Sequence, residues 1–105
     1  MSAKTLAEYL RQKNPTGLPY EDAMQLFLWM YCSIDVVPDA FRSEDAVSKA
    51  ALVRTFEELT RSGFIRKPTS TTHSPEIPWP EMVDALLSNR VQPDWEFRTR
   101  IGQFL

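Results

Sequence analysis

The segment that decides the fold is residues 50–79, which read AALVRTFEELTRSGFIRKPTSTTHSPEIPW. Leu52, Phe56 and Leu59 recur at helical spacing, and this pattern predicts a helix with one apolar face. Gly63 is expected to end that helix, because glycine adopts the left-handed conformation after a helix cap without a side-chain penalty. We therefore predict a packed helix and a change of secondary structure immediately after it.

The sequence beyond this glycine predicts a two-stranded β-hairpin. Residues 64–67, FIRK, begin with apolar side chains and precede a proline, which is typical of a short strand. The polar run at residues 69–74 is expected to form a solvated loop. Ile77 and Trp79 are then expected on a returning strand, which Pro78 confines to the edge of the sheet.

Two helices are predicted upstream. Residues 5–13 form a short amphipathic helix that ends at the breaker cluster NPTG, residues 14–17. A second helix starts near Pro19 and continues to Ile34, and it is apolar around so much of its circumference that it belongs in the centre of the core. The pattern over residues 44–62 fits either one helix or two.

The last part of the chain predicts further helices. Pro80 suits the first turn of a helix that Asn89 should close. The tail over residues 93–105 fits helical and strand spacing, and we favour the helix. Its large apolar residues are expected to dock either on this domain or on a partner protein, because a chain terminus otherwise frays. The candidate docking residues are Trp95, Phe97, Ile101, Phe104 and Leu105.

Length and composition predict one globular domain over residues 1–105. Hydrophobic residues make up 43% and charged residues 25%, which is ordinary for a folded domain with a single core. Residues 1–17 form the N-terminal helix and linker, and residues 80–105 form a C-terminal helical extension. The fold class is mostly α with a small β-hairpin (α+β), that is, a winged helix-turn-helix with additional C-terminal helices.

The sequence predicts an intracellular protein. No apolar run reaches the roughly 18 residues that a membrane span needs, and the N-terminal residues lack the apolar core of a secretion signal. Cys32 is the one cysteine, so it cannot form an internal disulfide. We expect it in the core, because free cysteine is among the most buried residue types.

Residue patterns that support catalysis are scarce. Three glycines are too few for a glycine-rich phosphate loop, and the single His73 has no second histidine or cysteine with which to share a metal ion. The carboxylate pairs are sequence neighbours at helix ends or on exposed faces, unlike an acid/base pair in a cleft. We expect a protein that is not an enzyme and uses no cofactor, metal or small-molecule substrate.

The charge distribution leaves two interpretations open. The formal net charge of −2 argues against a domain that coats nucleic acid, yet residues 42–67 carry six basic and four acidic side chains, so the remainder carries −4. This segment is either a basic edge that contacts phosphates or a mixed solvated face. The candidate DNA or partner contacts are Lys49, Arg54, Thr55, Arg61, Arg66, Lys67 and His73.

A family resemblance adds to these patterns. It rests on the helix that contains Arg54, on the run GFIRK at residues 63–67, on the threonine-rich loop with His73, on Trp79, and upstream on GLPYEDA at residues 17–23. Over residues 17–79 the chain resembles the C-terminal winged-helix domain of the third subunit of the eukaryotic origin recognition complex. The resemblance implies a non-catalytic nuclear module of a DNA-replication assembly that contacts neighbouring subunits and duplex DNA. Residues 80–105 have no counterpart in it.

Two alternatives use the same frame. One is a small protein-binding adaptor or inhibitor of phage or bacterial origin, cytoplasmic, whose apolar tail is the docking element. The other is a winged-helix transcription regulator, which predicts a dimer and a palindromic binding site. The acidic balance of the chain counts against the regulator.

Overall fold

The computed structural model describes residues 5–37, 41, 49–66 and 79–105. Over these residues the protein is mostly helical with a small two-stranded sheet. The helices are α1 (Leu6–Lys13), α2 (Tyr20–Cys32), α3 (Lys49–Arg61), α4 (Trp79–Leu87) and α5 (Trp95–Arg98); the strands are β1 (Leu18–Pro19) and β2 (Ile65–Arg66); single 3-10 turns cover Ile34–Val36 and Ile101–Gln103.

The core forms where α2, α3 and α4 meet. The α3 side chains predicted to share an apolar face, Leu52, Phe56 and Leu59, are fully buried. Phe27 of α2 packs edge to face on Phe56 at 5.3 Å between ring centroids. Trp79 completes the cluster at 5.2 Å from each of these rings. Such aromatic pairs add about 0.5–1.5 kcal/mol each beyond the area that they bury.

The ends of α3 and α4 confirm two local predictions, and the start of α1 has a side-chain cap. Thr5 caps α1, with its hydroxyl oxygen accepting from the backbone N–H of Glu8 at 3.1 Å. Gly63 follows the end of α3 with a φ of +89°. Asn89 follows α4 with a φ of +61°, and the next backbone N–H, that of Arg90, donates to the Ala85 carbonyl at 2.8 Å. Both glycine and asparagine therefore act as left-handed C-terminal stops.

The small sheet differs from the predicted hairpin. β2 pairs with β1 in parallel, with Leu18 opposite Ile65 and Pro19 opposite Arg66. The prediction of a returning strand at Trp79 is wrong, because this residue begins α4. The rest of the predicted hairpin lies outside the described residues: Lys67, the loop at residues 69–74, Ile77 and Pro78.

The physical reason for the error at Trp79 is tertiary. Its indole is buried against the aromatic core, and its Nε1 donates to the hydroxyl of Thr60 on α3 at 2.9 Å. That hydroxyl in turn donates to the Phe56 carbonyl at 2.7 Å. Pro80 then sits in the first turn of α4, where a missing N–H costs nothing. Trp79 is thus the first residue of α4, and its indole joins this helix to α3.

Gly17 explains why β1 can lie beside β2. Its φ is +85°, and a Cβ at this position would lie 2.7 Å from the carbonyl oxygen of Phe64. The next residue, Leu18, donates its backbone N–H to that same oxygen at 2.9 Å. A side chain at position 17 would therefore obstruct the hydrogen bond that starts the strand pairing.

The tail over residues 93–105 is helical, as favoured, but its helical segments are short. Phe97 and Ile101 are buried in this chain's own core. The Asn14 side-chain amide donates to the Phe104 carbonyl at 3.1 Å, and the Tyr9 hydroxyl donates to the backbone oxygen of Leu105. The tail thus packs against α1 as well as against the rest of the core.

The expectation for Cys32 is wrong, because this residue is exposed. It is the last residue of α2, and the buried run of that helix ends two positions earlier at Met30. Partial desolvation raises the pKa of the Cys32 thiol above its ordinary value. In the described part of the chain no helix is both long and apolar enough to cross a bilayer.

Candidate nucleic-acid and partner interface

The outward side of α3 carries two of the predicted contact residues. Arg54 and Arg61 are exposed, while Leu52 and Phe56 point into the core. The two arginines are seven residues apart, so they lie on the same side of the helix at a separation of about 10 Å along its axis. Thr55 is half-buried at the flank of this surface.

An acidic residue lies on the same side of α3. Glu58 falls between the two arginines in sequence, and its Oε2 lies 3.9 Å from Nη1 of Arg11 on α1. Both side chains are largely exposed, at 40% for Arg11 and 62% for Glu58, so this ion pair contributes only about 0–1 kcal/mol to stability. Glu57 lies on this side of the helix as well, so the two arginines are balanced by two glutamates and the α3 surface is mixed in charge.

Arg66 lies beside this surface on β2 and is exposed. Its Nη1 donates to the backbone carbonyl of Thr16 at 2.7 Å. Thr16 belongs to the loop after α1, so the contact holds the guanidinium over the junction between α1 and the sheet. Among the other candidates, Lys67 and His73 lie outside the described residues, as does the side chain of Lys49, whose backbone begins α3.

The sequence did not single out Arg11, which the structure brings to the same surface. Its Nη2 donates to the hydroxyl of Ser62, at the end of α3, at 3.1 Å. The two residues are 51 positions apart in sequence, and no local pattern links them. The contact exists because the apolar face of α1, which includes Leu6 and Leu10, is buried in the core that α3 helps to form.

The five candidate docking residues of the tail divide into three classes. Phe97 and Ile101 are 1% and 5% exposed, so neither can reach a partner without unfolding of the tail. Phe104 and Leu105 are half-buried and pack against the core. Trp95 is 74% exposed and is the one residue of the five that presents most of its surface to solvent.

Trp95 does not stand alone. Its ring packs edge to face on Trp29 of α2 at 5.2 Å, and the Trp29 indole N–H donates to the Asp94 carbonyl at 3.1 Å. The Arg98 guanidinium lies 5.8 Å from the centre of the Trp29 ring and 3.4 Å from a carboxylate oxygen of Asp35. The exposed tryptophan is therefore positioned by its ring contact with Trp29 of α2.

Within the described residues, no three histidine, cysteine, aspartate or glutamate side chains are grouped closely enough to hold a metal ion. Comparisons with protein-family profiles, with curated proteins and with solved structures found no match.

Proposed function

We propose that this chain is a non-catalytic winged-helix module that contacts other proteins and duplex DNA in a nuclear DNA-replication assembly of the origin-recognition type. The order of elements supports the winged-helix part of this proposal, because β1 precedes α2, and β2 follows α3 after Gly63. The observation that carries it is the exposed basic surface of Arg54, Arg61 and Arg66 on α3 and the strand after it.

Physical chemistry favours DNA for such a surface. Each arginine that neutralises a phosphate releases condensed counterions, and this release supplies most of the affinity of sequence-independent binding. The chain as a whole is acidic, with a net charge of −2, so its remaining surface repels DNA. A DNA contact made by this protein is therefore expected to be local, weak in isolation and oriented by one face, as suits one module among several in an assembly.

Charge reversal at Arg66 of β2 and at Lys67, the next residue in the sequence, tests the DNA contact, and this double change is called the β2 variant. Labelled duplex DNA is titrated with the wild type and with Arg66→Glu/Lys67→Glu at several salt concentrations, and binding is followed by fluorescence anisotropy. The variant should bind more weakly, and the slope of log K against log salt should fall by about 1.8 if both residues contact phosphates.

A matched control is Arg90→Glu/Arg100→Glu, which reverses two exposed arginines of the C-terminal part. The control should lose much less affinity than the β2 variant, since it changes net charge equally but leaves the proposed surface intact. Unchanged duplex affinity in the β2 variant would exclude β2 as a DNA contact.

A specific observation favours the adaptor as a second candidate. Trp95 exposes 74% of its surface while being positioned by Trp29, and tryptophan is enriched among the residues that dominate protein interfaces. If the chain is an adaptor, Trp95→Ala should abolish co-purification of its partner protein. The control is Leu87→Ala, which should retain the partner, because Leu87 is similarly exposed at 65% but lies on α4. Loss of the partner in Trp95→Ala, together with no salt-dependent binding of duplex DNA by the wild type, would favour the adaptor over the DNA module.

A further inference from the structure

The C-terminal ends of α1 and α3 meet at one end of the molecule. Three hydrogen bonds join them with the segments that follow: Arg11 to the Ser62 hydroxyl at 3.1 Å, the Leu18 N–H to the Phe64 carbonyl at 2.9 Å, and Arg66 to the Thr16 carbonyl at 2.7 Å. The basic side chains of this junction form what we call the helix-end cluster, which consists of Arg11, Lys13, Arg61 and Arg66.

The charge of this cluster is opposite to that of the rest of the chain. Four basic side chains and the neighbouring Glu57 and Glu58 give +2, so the remainder of a chain with a net charge of −2 carries −4. The carboxyl ends of α1 and α3 each add roughly half a negative charge, which leaves about +1 at the cluster. The molecule therefore has a positive end that would orient it toward a polyanion.

The side chains of the cluster are accessible to solvent, and two of them are held by hydrogen bonds. Lys13, Arg61 and Arg66 are exposed, and the Arg11 side chain is 40% exposed. Arg11 and Arg66 are each held by a hydrogen bond to the opposite side of the junction. A guanidinium has five N–H donors, so one such bond leaves donors that can reach a phosphate while the side chain stays oriented.

We propose that duplex DNA is contacted by the helix-end cluster, so that Arg11 and Lys13 of α1 bind phosphates together with Arg61 and Arg66. This inference rests on the proposed function and extends its surface from α3 and β2 onto α1. Packed helices lie about 8–10 Å apart, so the charges on α1 and on α3 are far enough apart to contact different phosphates of a duplex. An array of regularly spaced phosphates fits a cluster of this width.

The test removes the α1 charges alone. Duplex affinity is measured by fluorescence anisotropy across a salt series for the wild type and for Arg11→Gln/Lys13→Gln. Glutamine has nearly the same helix propensity as arginine and lysine, and the Arg11–Glu58 pair that is lost is exposed, so circular dichroism should show an unchanged fold. Affinity at about 0.1 M salt should fall between roughly 10- and 100-fold, and the salt slope should fall by about 1.8.

The matched control is Arg90→Gln/Arg100→Gln, which removes the same charge from exposed positions outside the cluster. It should weaken binding by less than the α1 variant and should leave the salt slope nearly unchanged. An equal loss in both variants would overturn the proposal, because it would mean that only net charge matters.

Two further outcomes separate this inference from the proposed function. If the wild type binds DNA and the Arg66→Glu/Lys67→Glu variant is weakened, but Arg11→Gln/Lys13→Gln is not, the α1 contact is overturned and the proposed function stands. If the wild type shows no salt-dependent binding, both are overturned. If polyglutamate binds as tightly as DNA, and Arg11→Gln/Lys13→Gln weakens both by the same factor, the cluster binds an acidic protein surface. That result would overturn the DNA contact.

Discussion

The helix-end cluster and the tail both depend on contacts between residues that are far apart in the sequence. Polar contacts form the cluster, whereas apolar burial holds the tail. At the cluster, Arg11 reaches α3 through exposed polar contacts. On the tail, Phe97 and Ile101 are buried, and the Phe97 ring stacks on that of Phe104 at 5.3 Å. Apolar burial contributes far more than exposed ion pairs, so the tail should determine stability and the cluster should be available for binding.

The contacts between α2 and the tail reinforce this contrast. The Gln25 side chain accepts from the Asp94 N–H at 2.7 Å, and Trp29 donates to the Asp94 carbonyl. These bonds position the start of α5, so that Phe97 faces the core and Trp95 faces solvent. One short helix therefore contains a residue expected to support the fold and a residue available to a partner.

The largest expected effect is on the tail. Phe97→Ala should reduce the free energy of unfolding by about 3–5 kcal/mol, because it removes a fully buried ring, and truncation after Val91 should prevent folding altogether. Urea denaturation followed by circular dichroism measures both changes. The control is Trp95→Ala on the same helix, which should cost less than half as much. Equal costs would mean that the tail is not held by burial.

A second prediction concerns the junction beside the cluster. Gly17→Ala should cost about 1–2 kcal/mol for the positive φ alone, and more for the 2.7 Å approach to the Phe64 carbonyl. Gly102→Ala is the matched control, since a Cβ there meets nothing within 4 Å. Thermal unfolding should separate the two variants clearly. A Gly17 variant as stable as the Gly102 variant would show that the β1–β2 pairing does not need this close approach.

A smaller effect is expected where α4 is anchored to α3. The hydrogen bond from Trp79 Nε1 to the Thr60 hydroxyl should contribute about 0.5–1.5 kcal/mol. A double-mutant cycle with Trp79→Phe and Thr60→Val isolates this coupling from the change in ring size. Additive single effects would show that the indole N–H does not stabilise the start of α4.

The smallest effect on stability is expected at the cluster itself. Arg11→Gln should change the free energy of unfolding by about 0.5 kcal/mol or less, because its pairing with Glu58 is exposed. The same variant should weaken duplex binding, so stability and affinity would respond separately. Destabilisation comparable with that of Phe97→Ala would remove the distinction between the two regions.

Local sequence signals predicted the helices well. The apolar spacing of Leu52, Phe56 and Leu59 identified the buried face of α3, and Gly63 and Asn89 lie at positive φ after α3 and α4. These features depend on residues within one or two helical turns of each other, so a single sequence is enough to recognise them. Cys32 shows the limit of residue-type statistics, because its exposure follows from its place at the end of α2.

The candidate site was predicted only in part. Arg54, Arg61 and Arg66 lie on the exposed surface as their helix and strand positions indicated. Arg11 was missed because its neighbour Ser62 is 51 residues away. For the tail, the sequence left docking on this domain and docking on a partner both open, and the burial of Phe97 shows docking on this domain for that residue.

By itself the sequence determined the buried face of α3 and the stops after α3 and α4, since backbone conformation, capping and apolar periodicity act over a few neighbouring residues. Only the tertiary structure decided that β2 pairs with β1, that Trp79 starts a helix against Thr60, and that the ends of α1 and α3 combine their charges. Those outcomes depend on which buried surfaces pack together, and the free energy of that packing is shared among residues that are far apart in the chain.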